Sequence, residues 1–158
     1  MTSQEIGKQT TRRDVRERAM QVLYAYELSQ EPIEMLVETI AGRDLDKEPE
    51  LYAFAQQLVY TVLNHRHESD PAIKKHSAHW DFDRIATLDR VLLRMGYCEL
   101  LFFPDIPVKV TMNEYVSIAK RFSTEKSGSF VNGMLNALFT ELRIQGLVKK
   151  AGRGMIGA

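Results

Sequence analysis

Arg12-Arg13-Asp14-Val15-Arg16-Glu17-Arg18-Ala19-Met20-Gln21-Val22-Leu23-Tyr24 decides the fold class, because a cluster of arginines opens a helix that then turns apolar at core spacing. At roughly 100° per residue, Arg12, Arg13 and Arg16 share one side, and Met20 and Tyr24 continue it. Val15, Ala19, Val22 and Tyr26 form the adjoining apolar stripe. The basic side therefore borders the buried one. Guanidiniums give planar bidentate contacts to phosphate and an aromatic ring offers a stacking surface, so this side suits single-stranded nucleic acid. A solvated basic helix end accounts for the same pattern.

The rest of the chain also carries helical periodicity, and no segment alternates with period two between turn residues. The expected class is all-α, with seven helices in two packed helical lobes. The first runs over 12–29, the second follows Pro32 and is capped by Gly42, and a charged loop covers 43–48. The third spans 49–65, with Leu51, Phe54, Ala55, Leu58 and Val62 inward. Ser69-Asp70-Pro71 predicts the start of a short fourth helix over 70–78, and 79–83 is a connection in which Trp80 plugs the lobes. The fifth spans 84–103 and stops at Pro104. Thr111-Met112-Asn113-Glu114 has capping-box spacing, which places the start of the sixth helix there. Ser127 or Ser129 caps a seventh helix holding Phe130, Val131, Met134, Leu135, Leu138 and Leu142. Gly133 falls inside it, at a cost of about 1 kcal/mol relative to alanine, which close packing or a binding constraint would explain. The expected organisation is a flexible arm (1–11), one helical domain (12–147, with lobes over 12–67 and 69–147) and a disordered glycine-rich tail (148–158).

Lys plus Arg equals Asp plus Glu at 21 each. Global neutrality argues against general coating of polyanions and for a local patch. Residues 8–18 supply one, with five basic residues against two acidic. Cys98 is the only cysteine, which fits a reducing, cytoplasmic setting without disulfides. No signal peptide or run of roughly 18 apolar residues is present, so no membrane association is expected. His65, His67, His76 and His79 lack metal-site spacing, and no phosphate loop, nucleophile elbow or paired-carboxylate arrangement occurs. The sequence gives no reason to expect an enzyme, a metal or a cofactor.

Several segments together resemble the NusB family of bacterial transcription antitermination factors. They are Arg12-Arg13 with Arg16 and Ala19-Met20-Gln21-Val22-Leu23-Tyr24, then Leu88-Asp89-Arg90-Val91-Leu92-Leu93-Arg94 with Glu99-Leu100. Pro107-Val108-Lys109-Val110 with Asn113-Glu114, Ala119-Lys120-Arg121-Phe122, and Ser127 with Phe130-Val131-Asn132-Gly133-Met134-Leu135 follow in family order. The resemblance covers 12–142 and is to the separate factor rather than to the related domain joined to RNA cytosine methyltransferases. It implies a non-enzymatic protein that pairs with the ribosomal protein NusE and binds the single-stranded boxA element of ribosomal RNA leader transcripts. The complex then helps RNA polymerase pass terminators. By the same resemblance, Arg12, Arg13 and Arg16 meet phosphates or base edges beside Gln21 and Tyr24. Phe130 is a second nucleobase contact, flanked by Lys126, Ser129 and Asn132, and Asp89 contacts NusE. Asp14 and Lys126 depart in charge from some members, with opposite expected effects on RNA affinity. A helical scaffold that self-associates as a homodimer and hides its arginines is the alternative reading.

Overall fold

The computed structural model describes residues 9–77 and 81–157. The expectations for Trp80, His79 and the end of the fourth helix at 78 lie outside these. The architecture is all-α. The main helices are α1 (Arg12–Ser29), α2 (a continuous run over 33–45 whose middle, Val37–Gly42, is π-helical), α3 (Pro49–Asn64), α4 (Arg66–His76), α5 (Thr87–Phe102), α6 (Val108–Phe122) and α7 (Glu125–Ile144). Short 3-10 turns at Phe82–Arg84 and Gly152–Met155 complete the described chain. No described helix is long and apolar enough to cross a membrane.

α5 is the axis of the molecule. Every residue from Val91 to Leu100 is buried, which is why its sequence reads as apolar almost all round. Helices α1, α3, α4, α6 and α7 all pack on it. Val15, Ala19, Val22 and Leu23 of α1 meet Phe54, Ala55, Leu58 and Val62 of α3 in the same core cluster. Gly96 lets α5 approach α7 closely, because a Cβ there would come within 2.6 Å of the Leu135 side chain. Burial pushes the Cys98 thiol up to about 12, so it stays protonated and unreactive.

Helix starts show where local signals lose to tertiary demand. α1 begins as expected, and a capping box formed by Thr11 and Asp14 fixes it. The spacing at Thr111 and Glu114 forms no such box: α6 already starts at Val108 behind Pro107. Thr111 is buried and donates its hydroxyl to Glu99, and Glu114 pairs with Arg13 instead. α7 is capped by Thr124, not by Ser127 or Ser129; the Thr124 hydroxyl accepts from the Ser127 amide at 3.1 Å. α4 begins at Arg66, so Pro71 lies inside it, and Asp70 is committed to Arg94 rather than to a cap. Gly42 does not end α2. Its backbone stays right-handed helical under the Tyr52 ring, and the expected loop is helical through the buried Leu45.

The tail departs most from expectation. α7 ends in a Schellman turn: Gly146 takes φ 71° and the Leu147 amide donates to the Leu142 carbonyl at 3.0 Å. The chain then folds back on the end of α5 rather than being disordered. Lys150 Nζ donates to the Glu99 and Phe103 carbonyls at 3.0 and 2.9 Å, placing a cation at the C-terminal end of the helix, where the dipole favours one.

Candidate nucleic-acid interface

The arginines at the start of α1 separate into two kinds. Arg16, expected among the RNA contacts, is 2 % exposed. Its Nε and Nη2 both donate to the Glu99 carboxylate at 2.8 Å, and Glu99 also accepts from Thr111 and Tyr115, all three residues fully buried. Burial by itself lowers the guanidinium's proton affinity, but the Glu99 hydrogen bonds and charge outweigh it and hold the pKa above the ordinary value. Arg16 is therefore committed to the buried Glu99 pair, although it borders the groove at the head of the helix.

Arg12 and Arg13 face solvent. The Arg12 guanidinium lies 4.7 Å above the Phe54 ring and 3.9 Å from Asp105. Arg13 is held in a fork by Glu114 at 2.7 and 3.2 Å. One turn further, Glu17 accepts from Arg121 of α6 at 2.9 Å. These bridges lay α1 beside α6 and leave a groove of about 670 Å³ at the end of α1. Arg12, Arg13, Arg121 and Arg153 line it with Asp14, Asp105 and Glu114, and Ile106, Pro107, Val110 and Ile156 form an apolar edge. Gln21 is half-buried and accepts from Arg18, and Tyr24 is partly exposed. Tyr24 lies twelve residues from Arg12, roughly 18 Å along the helix, and neither Gln21 nor Tyr24 lines the groove.

A second hollow of about 330 Å³ lies between the starts of α5 and α7, lined by Arg84, Ile85, Ala86, Asp89, Lys126, Ser127 and Phe130. Here the structure brings Phe130 and Lys126 together with Asp89. Asp89 is nearly buried; Ser127 donates to its Oδ2 at 3.2 Å, and Oδ1 has no hydrogen-bond partner among the described residues. Burial raises the Asp89 pKa, with the Ser127 hydrogen bond opposing. A donor delivered from outside would satisfy that oxygen. Ser129 and Asn132 are exposed on α7 outside the hollow. Gly133 is exposed, and a Cβ there would meet nothing within 4 Å, so packing does not explain a glycine in that turn.

Arg121 and Arg153 were not among the expected site residues. Arg121 sits in a basic last turn of α6, a signal that ordinary dipole compensation also produces. Arg153 lies in the segment whose glycines read as disorder. Among the described histidines, His65 stacks on Phe102 with centroids 4.0 Å apart, and His76 meets Glu141. No cluster among the described residues could hold a metal ion.

The NusB family model matches residues 13–139. A transcription antitermination protein NusB from Salinibacter ruber is 43% identical over 148 residues, covering 94% of this chain and 92% of its own. The chain belongs to the NusB family. It is thus a transcription antitermination factor of a non-enzymatic family. A solved NusB from T. maritima superposes with a TM-score of 0.77 at 33% identity, over 85% of this chain and 94% of that one. A crystal structure of the antitermination factors NusB and NusE in complex with dsRNA matches with a TM-score of 0.75 at 32% identity, over 82% and 96% of the two chains.

Proposed function

We propose that this NusB-family factor acts in the cytoplasm by binding single-stranded boxA RNA of ribosomal RNA leaders together with NusE, and so joins the RNA polymerase complex that reads through terminators. The observation that carries the reading is the open arginine groove beside α1, in a chain whose solved relative was crystallised with NusE and dsRNA. Arg12 and Arg13 contact phosphates, and the apolar edge at Val110 and Pro107 receives a base. Phe130 stacks a second base, with Lys126, Ser129 and Asn132 around it. Asp89 takes a donor from basic NusE, an electrostatically complementary contact. Gln21 and Tyr24 belong further along the same strand path. The helices over 12–147 act as one domain.

The test measures binding of a labelled boxA strand, a scrambled strand and a boxA duplex by the full chain, alone and with NusE. The pair is expected to prefer the boxA strand over both competitors. Phe130→Ala is expected to weaken that binding by about 1–3 kcal/mol, the value of one stacked base, and by more than it lowers folding stability, because the ring is only partly buried against the core. Preference for the duplex would contradict the single-strand assignment. Absence of RNA binding in both settings, with dimers in sedimentation, would establish the self-associating scaffold instead.

A further inference from the structure

The C-terminal segment is anchored in an unusual way. Its fixed points are polar: the two Lys150 bonds to the end of α5, and the Ala151 amide donating to the Pro104 carbonyl at 3.0 Å. Gly154 is buried against that same Pro104 carbonyl, and any Cβ would overlap its oxygen. The large apolar side chains beside it remain in water, Met155 at 54% and Ile156 at 68% exposed. A segment folded for its own burial would turn these inward. Instead the 3-10 turn at Gly152–Met155 holds Arg153 and Ile156 at the groove beside α1.

The charge of that groove makes the placement consequential. Arg16 lines it but is sealed by Glu99. The remaining helix-borne arginines, Arg12, Arg13 and Arg121, number the same as the lining carboxylates Asp14, Asp105 and Glu114. Arg13 and Arg121 are moreover already bridged, to Glu114 and Glu17. Arg153 adds an exposed positive charge to a groove whose other arginines are matched by neighbouring carboxylates.

We infer that residues 148–157 are a working wall of the RNA groove, with Arg153 supplying a phosphate contact and Ile156 an apolar edge for a base. The inference rests on the RNA-binding reading and adds to it an element outside the matched family region, which ends at 139. Lys150 and Gly154 are positioning residues: one ties the segment to α5, and the other permits the close seat that aims Arg153.

The experiment uses the full chain and the labelled boxA strand over a sodium chloride series, with Arg12→Ala as a reference. Arg153→Ala is expected to bind severalfold more weakly at low salt, with the slope of log K against log salt shallower by about 0.7, the loss of one phosphate contact on a single strand. Arg153→Lys keeps the slope. Gly154→Val unseats the segment and reproduces the Arg153→Ala loss, and the double variant adds nothing, as coupled sites require. Melting curves of all variants confirm that the helical core is intact. If Arg12→Ala lowers the slope and Arg153→Ala does not, the segment is not part of the groove although the RNA reading stands. If neither lowers it, both fail. Tighter binding by Gly154→Val would show that the segment covers the site, which overturns the inference.

Discussion

Arg16→Ala is expected to destabilise the fold by about 3–5 kcal/mol, the cost of breaking a buried ion pair by removing one partner. The substitution leaves the Glu99 carboxylate, fully out of water, with only the Thr111 and Tyr115 hydroxyls as partners. Those two donors lie on α6, so the lost charge lay at the meeting of α1, α5 and α6. The Phe54 ring, 5.5 Å from the Arg16 guanidinium, also loses one of its packing partners. Denaturant unfolding followed by circular dichroism measures the effect. Replacing Arg16 and Glu99 together by apolar residues of similar volume is expected to recover most of it, because paired removal leaves no orphaned charge. A single-variant loss below about 1 kcal/mol, the size of an exposed pair, would mean that Arg16 reaches solvent and would restore it as an RNA contact.

Arg94→Ala is expected to cost about 3 kcal/mol, at the lower end of the same range because its partners keep some contact with water. Arg94 of α5 donates to both Asp70 oxygens at 2.8 and 3.1 Å and to Glu27 at 2.6 Å, tying α4 and α1 to the central helix. Burial lowers the Arg94 pKa, but the two carboxylates more than compensate and raise it. Truncation leaves two acids facing one another across the junction. Arg94→Lys is expected to keep only part of the stability, since a point charge cannot make the fork to Asp70. The same unfolding series checks both variants, and losses within a few tenths of a kcal/mol would show that the junction carries no weight.

The chain announces its helices clearly where local signals and burial agree. α1 reads correctly from Arg12 to Ser29 because Thr11 caps it and its apolar residues recur at helical steps. Thr111, Glu114 and Asp70 mislead because each has a local role available and a tertiary role taken, and the partners lie 12, 101 and 24 positions away. Arg16 misleads for the same reason, although a clue exists: Ala19, Met20 and Leu23, its neighbours at three, four and seven residues, are all buried. The family resemblance could name residues but not separate those exposed at the head of α1 from those buried to hold it. Arg153 is illegible because a glycine-rich segment gains its shape from the Pro104 carbonyl and the end of α5, neither of which its own composition reveals.

The proposed function gives Arg12, exposed at the head of α1, to RNA phosphate, while the buried Arg16 holds the fold. That division of labour is open to a single binding series, the salt dependence of boxA affinity for the full chain and for Arg12→Ala. A slope shallower by about 0.7 is expected in the variant, with an unchanged melting temperature. An unchanged slope and affinity in a folded Arg12→Ala protein would contradict the assignment.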